Sequence, residues 1–285
     1  MNKLELYFHI PFCVRKCLYC DFLSAPANHA VQDAYMEALI KETVCRAGEY
    51  REYLVDTIFI GGGTPSAVDA EWIGKLLSVV YRDFHVSDKA EITMEVNPGT
   101  VEADRLKQYK KAGVNRLSIG LQSADNEELK RIGRIHSWED FERTYRLVRQ
   151  AGFVNVNVDV MSALPGQNVD SYRSTLQKIL ALNPQPEHIS AYSLIVEEGT
   201  PFYRMQEEGK LLLPDEDEER LMYEQTERIL AQAGYERYEI SNYAKKGYEC
   251  RHNFGYWRRT DYVGFGIGAA SLVRETRFQN EESLS

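Results

Sequence analysis

Short apolar, β-branched runs alternate with longer amphipathic stretches up to about residue 196. Each short run could form one buried strand, whereas the longer stretches repeat apolar residues at the three- and four-residue spacing of a helix face. Lys-Ala-Gly at 111–113 and Gln-Ala-Gly at 150–152 are helix-stop signals. The pattern predicts strands at 4–10, 56–60, 91–96, 116–121, 154–160 and 188–194, and helices at 31–50, 69–83, 101–112, 137–150 and 169–182.

Six strand–helix units in series predict an α/β fold with a parallel sheet, because parallel neighbours need a crossover, which is usually a helix. Six units are fewer than the eight of a closed barrel, so the pattern favours a partial, open (β/α)6 barrel. A doubly wound sheet is the alternative. In both folds ligands bind at the carboxyl ends of the strands, where the cysteines, the glycine run, Glu95, Gln122 and Asp159 fall.

The pattern changes after residue 196, which predicts a core domain at 1–196 and a C-terminal lobe at 197–285. A long helix is predicted at 215–233, with an acidic first turn that suits the helix dipole. From Tyr235 onward the chain is rich in aromatic residues and glycine, without clear periodicity. No closing element precedes the last residue, so we expect the lobe to be truncated.

Composition argues against several classes of protein. No apolar run approaches the roughly 20 residues of a membrane helix, so no integral membrane segment is expected. A net charge of −9 disfavours contact with phosphate backbones, and nucleic acid is therefore not an expected partner. The N-terminus lacks the features of a signal peptide, and five cysteines, an odd number, are expected to stay reduced. These features predict a cytoplasmic protein.

Three cysteines near the N-terminus carry the strongest chemical signal. Cys13, Cys17 and Cys20 have the spacing C-x3-C-x2-C, which places three thiolates on one loop after the first strand. Three ligands are one too few for a tetrahedral zinc site or for all the irons of a [4Fe–4S] cluster, and an open position suits a reactive cluster. A zinc half-site and buried thiols are alternatives that the spacing alone leaves open.

Polar and glycine residues at other strand ends form a second candidate set. Gly61-Gly62-Gly63-Thr64-Pro65 follows a strand directly, and its glycines allow a ligand to approach the backbone, although a tight turn is the alternative. Carboxylates at strand ends could accept hydrogen bonds from ribose hydroxyls, and an arginine could bind a carboxylate. Each residue taken alone could equally be a structurally satisfied polar group. The set comprises Glu95, Gln122, Arg134 and Asp159.

The cysteine motif, preceded by Tyr-Phe-His-Ile-Pro-Phe at 7–12 and followed by Gly-Gly-Gly-Thr-Pro, resembles the radical S-adenosylmethionine (SAM) superfamily. More narrowly it resembles the oxygen-independent coproporphyrinogen III oxidase family, over about residues 4 to 273. The resemblance implies a partial barrel of the radical SAM type. It also implies that Cys13, Cys17 and Cys20 hold a [4Fe–4S] cluster whose fourth iron binds SAM. An electron donor for the cluster is then an expected partner.

The resemblance also assigns SAM contacts to eight residues. Glu95 would lie near the methionyl group, and Arg134 would pair with its carboxylate. Gln122 and Asp159 would serve the ribose, and Tyr7 would lie near the sulfonium and adenosine. The backbone of the glycine run would meet the methionine amino group through Gly62, Gly63 and Thr64.

Two marks distinguish the branches of this family. The decarboxylating oxidases have a fourth cysteine two residues after the third, where this chain has Phe22. The HemW-type haem chaperone branch has Cys-Asp-Phe there and a His-Asn-x-x-Tyr-Trp motif, which 252–257 match. The resemblance implies a haem chaperone that delivers haem to haem-requiring proteins, respiratory ones among them. The alternative is a coproporphyrinogen III dehydrogenase that decarboxylates propionates to vinyl groups, which Phe22 disfavours. Whether the chain is an enzyme stays open.

The motif at 252–257 supplies the candidate haem residues. His252 would ligate the iron, and Tyr256 and Trp257 would pack against the macrocycle. A buried aromatic cluster with a hydrogen-bonded histidine is the alternative. The chain has Ser162-Ala163 where the family commonly has Tyr-Gly, so we expect a reshaped pocket floor. A homodimer and peripheral contact with a membrane stay open.

Overall fold

The structure is a computed structural model that describes residues 1–283. Strands and helices alternate through the first two hundred residues, and shorter elements follow. The elements are β1 (Asn2–Ile10), α1 (His29–Arg46), β2 (Tyr53–Gly62), α2 (Ala70–Asp83), β3 (Val86–Val96), α3 (Ala103–Ala112), β4 (Arg116–Gln122), α4 (Asn126–Arg131), α5 (Trp138–Gln150), β5 (Val156–Ser162), α6 (Val169–Leu180), β6 (His188–Ser193), α7 (Pro201–Glu207), α8 (Glu216–Gln232), β7 (Glu236–Arg237), β8 (Asn242–Ala244), α9 (Arg251–Arg258), β9 (Tyr262–Phe265), β10 (Ala270–Val273) and β11 (Thr276–Gln279).

These strands form one sheet in the order β11-β10-β9-β1-β2-β3-β4-β5-β6-β8-β7. Strands β1 to β6 lie in chain order and pair in parallel, with a helical crossover between neighbours. The order is linear, so the barrel is open. The structure therefore confirms the predicted α/β fold with six parallel strands in a partial barrel.

Alternation along the strands separates an outer from an inner face. On β1, Leu4, Leu6 and Phe8 are fully buried in the hydrophobic core. The intervening Tyr7 faces a polar cavity on the inner side of the barrel. Because side chains alternate between the two faces of a strand, the core lies between sheet and helices and the polar residues face inward.

Local signals set the helix ends. Gly113 ends α3 in the left-handed conformation (φ 112°), and Gly152 follows α5 with φ 85°, as both stop signals predict. Asp69 caps α2 by accepting from Glu71 N, and Ser137 forms a capping box at the start of α5. The predicted helix at 31–50 is α1 followed by a 3-10 turn at Ala47–Tyr50.

The segment after residue 196 extends both edges of the sheet. Strand β8 pairs antiparallel with β6, and β9 pairs in parallel with β1. Helix α9 packs over the amino-terminal half of the inner face, where Glu91 accepts from Arg251 N at 3.0 Å and from His252 N at 3.3 Å. Gly255 makes this approach feasible, because a Cβ there would overlap the Glu5 carboxylate. Among residues 1–283, no helix combines the length and apolarity needed to cross a membrane.

Candidate functional site

A cavity of about 420 Å³, called the upper cavity below, opens at the carboxyl ends of the parallel strands. It brings together residues that are widely separated in the sequence. Of the eleven residues predicted to hold the cluster or SAM, only Tyr7 does not line it. The other ten, all in this cavity, are Cys13, Cys17, Cys20, Gly62, Gly63, Thr64, Glu95, Gln122, Arg134 and Asp159.

The cysteine loop presents three unpaired thiols to this cavity. Cys13, Cys17 and Cys20 are each partly exposed. The sulfur of Cys13 lies 3.6 Å from the Thr64 hydroxyl, and the sulfur of Cys17 lies 3.6 Å from Nη1 of Arg134. Each of these two sulfurs therefore has a hydrogen-bond donor beside it.

The thiols fit an iron–sulfur cluster better than a single metal ion. Soft thiolates select zinc or iron–sulfur clusters. Within the described part of the chain, no three His, Cys, Asp or Glu side chains converge on a point that could hold one ion. A cubane cluster does not require such convergence, because each thiolate binds a different iron. The residues therefore fit a [4Fe–4S] cluster with one iron left for a further ligand.

The glycine run lies directly against the cysteine loop. Gly63 N donates to Ile10 O at 2.9 Å, and Thr64 N donates to Phe12 O at 2.7 Å. A Cβ on Gly63 would lie 2.7 Å from Phe12 O and 3.0 Å from the sulfur of Cys13, which leaves no room for any other residue. Close approach to the cluster loop therefore explains Gly63, whereas Gly62 also needs its positive φ of 115°.

Two carboxyl groups form the wall between β3 and β5. Glu95 accepts from Gly62 N at 3.1 Å. Burial, together with the neighbouring Asp159, raises the pKa of Glu95 to about 8. Burial also raises the pKa of Asp159, although hydrogen bonds from Asn157 and Ser118 oppose this effect. At neutral pH Glu95 is therefore largely protonated and can donate as well as accept a hydrogen bond.

Arg134 connects three parts of the site. Its guanidinium donates to Asn97 Oδ1 at 2.8 Å and to the Gly120 carbonyl, and Asn97 Nδ2 donates to the Thr64 hydroxyl at 2.7 Å. Its Nε is buried without a partner, so Arg134 has donor capacity left for a carboxylate. Sequence reasoning missed Asn97, although its place at the end of β3, before Pro98-Gly99, could have indicated it.

Two residues at the strand ends have left-handed backbone conformations. Gln122 has φ 72°, at the point where the register between β4 and β5 shifts. Ala163 has φ 59° immediately after β5, at the position where the family resemblance implies glycine. Residues other than glycine adopt such angles at a cost of about 1–3 kcal/mol, and they cluster at functional sites.

Tyr7 faces a second, deeper cavity of about 160 Å³ that shares Glu95 and Asp159 with the first. The Tyr7 hydroxyl lies 3.0 Å from His9 Nδ1, and His9 Nε2 lies 2.8 Å from the Leu23 carbonyl at the far end of the cysteine loop. Tyr7 therefore lines the deeper cavity together with Glu95 and Asp159, and His9 connects it to the cysteine loop.

His252 lines the same deeper cavity and is only 2% exposed. Its Nδ1 lies 2.7 Å from the Thr57 hydroxyl and its Nε2 lies 2.9 Å from the Tyr256 hydroxyl. Burial lowers the pKa of His252 to about 3, so the ring is neutral. Thr57 precedes Gly61 by four residues on β2. The contact between Thr57 and His252 is therefore about 13 Å along the strand from the start of the glycine run. His252 is thus a buried, hydrogen-bonded histidine, whereas Tyr256 and Trp257 are 40% and 57% exposed.

Comparison with known proteins agrees with this geometry. The sequence profile of the Radical SAM superfamily matches residues 7–179. The chain is 44% identical to heme chaperone HemW of Escherichia coli (strain K12), over 96% of this chain and 71% of that protein. It is 40% identical to heme chaperone HemW of Bacillus subtilis (strain 168), over 96% of this chain and 72% of that protein.

A solved structure matches the whole fold. Coproporphyrinogen III oxidase (HemN) from Escherichia coli, a radical SAM enzyme, superposes with a TM-score of 0.85 at 26% identity. The match covers 99% of this chain and 68% of that one. Together with the cysteine loop and the cavity at the strand ends, these similarities show that the chain belongs to the radical SAM superfamily, in its HemW-type branch.

Proposed function

We propose that this chain is a haem chaperone that holds haem and passes it to haem-requiring proteins, respiratory proteins among them. Membership of the radical SAM superfamily implies a [4Fe–4S] cluster and SAM. Haem is the additional ligand, and it is supported by the similarity to the HemW proteins. We further propose a cytoplasmic location and, as partners, haem-accepting proteins and an electron donor for the cluster.

The observation that carries the proposal is Phe22. Its side chain is 61% exposed and lines the upper cavity two residues after Cys20. The oxidase branch has a fourth cysteine at this position. A phenyl ring supplies neither a thiolate nor a proton, so a step that needs a thiol there is not available to this chain. The similarity in fold to the oxidase is compatible with decarboxylation, but this residue argues against it.

When bound, the cluster and SAM supply reductive cleavage of SAM to methionine and a 5′-deoxyadenosyl radical. The residues of the chain hold these groups. Cys13, Cys17 and Cys20 would bind iron, and Arg134 would take the methionine carboxylate on its free Nε. Asp159 would bind the ribose with Gln122. The remaining contacts proposed for SAM are Tyr7, Gly62, Gly63, Thr64 and Glu95.

Helix α9 is the proposed haem segment. Tyr256 and Trp257 present aromatic surface to solvent, which suits the apolar macrocycle, and Arg258 and Arg259 are exposed beside them and suit the propionates. Ligation by His252 requires its Nε2 to lose the Tyr256 hydroxyl, because that nitrogen is already bonded. We therefore propose that haem binds the outer face of α9 first and that His252 becomes available when Tyr256 turns away.

Haem titration followed by absorbance tests this proposal. His252→Ala should weaken haem binding about tenfold or more, because coordination to iron is lost. His85→Ala is the matched control, because His85 is exposed and lies outside both cavities. Equal haem affinity in the two variants would remove His252 from the haem site. Failure of the unsubstituted protein to bind haem would refute the proposed function.

A further inference from the structure

A chain of hydrogen bonds runs from Asp159, in the upper cavity, to the start of α9. Asn157 Nδ2 lies 2.7 Å from Asp159 Oδ1, and Asn157 Oδ1 lies 2.6 Å from His188 Nδ1. His188 Nε2 lies 2.8 Å from the Tyr238 hydroxyl, which accepts from Cys250 N at 3.3 Å. The chain crosses β5 and β6 and leaves the region that the superfamily profile matches.

The orientation of the Asn157 amide is fixed by four contacts. Its Nδ2 donates to Asp159 and to the Ser118 hydroxyl at 2.7 Å. Its Oδ1 accepts from His188 and from the Ser190 hydroxyl at 3.2 Å. If the amide were flipped, its oxygen would face the Asp159 carboxylate. An amide oxygen has no proton to donate, so the hydrogen bond to Asp159 would be lost. The proton on His188 Nδ1, at the shorter of the two contacts to Oδ1, therefore helps to keep the Asn157 donor directed at Asp159.

The rest of the chain fixes the tautomer of His188. Because Asn157 Oδ1 can only accept, His188 Nδ1 must carry the proton and Nε2 must accept. The Tyr238 hydroxyl then donates to Nε2 and accepts from the backbone of Cys250. Every donor in the chain of hydrogen bonds thus has an acceptor. His188 and Asn157 are 1% and 2% exposed, so these bonds are shielded from bulk solvent.

We infer that His188 is a positioning residue for the SAM site, acting through Asn157 on Asp159. This inference rests on the ribose role proposed for Asp159. His188, which lies beyond the region matched by the superfamily profile, thus contributes to SAM binding from outside the cavity that would hold SAM. Tyr238 contributes one step further away by fixing the tautomer of His188.

Two substitutions of His188 separate its two bonds. His188→Leu removes the donor to Asn157 and should weaken SAM binding to the cluster-loaded protein about tenfold. His188→Asn is the conservative variant, because its amide nitrogen can occupy the position of Nδ1 and restore that donor. It should bind SAM within about twofold of the unsubstituted protein. If His188→Asn loses as much SAM affinity as His188→Leu, the inference is wrong.

A double-mutant cycle with Asp159→Ala excludes a merely structural role. Asp159→Ala should itself weaken SAM binding, and adding His188→Leu should then cause no further loss, because there is no carboxylate left to orient. An equal loss in both backgrounds would overturn the inference. If Asp159→Ala leaves SAM affinity unchanged, the ribose role and the inference both fail. Haem titration of the same variants reports separately on the proposed chaperone function.

Discussion

Gly63→Ala should disrupt the cluster site without replacing any of the proposed metal ligands. The new methyl group would lie 2.7 Å from Phe12 O, whereas an ordinary van der Waals contact begins at 3.4 Å. The carbonyl must therefore move by the difference of 0.7 Å. Two short hydrogen bonds, Gly63 N to Ile10 O and Thr64 N to Phe12 O, oppose this movement because they tie the two loops together.

The expected size of the effect follows from the crowding. Overpacking of this kind costs about 1–3 kcal/mol, and the displaced loop carries Cys13, whose sulfur would lie 3.0 Å from the new Cβ. Misplacing groups that orient metal ligands typically costs about 10–100-fold in metal affinity. We expect the cluster of Gly63→Ala to be lost to a chelator at least about tenfold faster.

Iron and acid-labile sulfide per chain, measured after anaerobic reconstitution and during chelation, provide the assay. Gly74→Ala is the matched control, because a Cβ at Gly74, inside α2, meets nothing within 4 Å. That control should gain about 0.5–1 kcal/mol of stability from the lower helix cost of alanine and retain the cluster. If Gly63→Ala loads and retains the cluster as Gly74→Ala does, the packing argument is refuted.

Three further predictions concern the same cavity. Cys17→Ala should prevent assembly of a full cluster, whereas Cys45→Ala, at an exposed thiol on α1, should not; iron and sulfide content checks both. Arg134→Lys keeps the charge but loses the fork of donors, so SAM should bind about tenfold more weakly in equilibrium dialysis. Burial raises the pKa of Glu95 from its ordinary 4.5 to about 8, so the protonated group favours the folded state. Stability of the cluster-free chain should therefore fall as pH rises between these two values. Thermal unfolding at pH 6 and pH 9 should show a smaller difference in Glu95→Gln, and an unchanged difference would contradict the assigned pKa.

The parallel core could be predicted from the sequence because its strands are long enough to show their periodicity. Strand β1 alternates Leu4, Leu6 and Phe8 with inward-facing polar residues over nine positions. The C-terminal strands could not be predicted, because β7 has two residues and β8 has three. Such short segments carry no periodic signal, and pairing with distant strands of the core decides their conformation.

The candidate site was predictable where one strand end supplies a whole motif. The cysteine motif is one short stretch of sequence, at 13–20, and the glycine run is another, at 61–65. Residues of both line the upper cavity. The bonds from Asn157 to His188 depend on the register of β5 with β6, which no local pattern reveals. The depth of His252 was equally hidden, because a motif fixes which residues are neighbours in sequence and not which face of a helix packs inward.

The most direct test of the central claim uses one anaerobically reconstituted sample in two parallel assays. One assay follows coproporphyrinogen III with SAM and a reductant, and the other follows haem binding by absorbance. The account predicts haem binding without loss of the propionate carboxyl groups of coproporphyrinogen III, because Phe22 occupies the position of the oxidase cysteine. Formation of protoporphyrinogen would contradict it and would show that radical decarboxylation proceeds without that thiol.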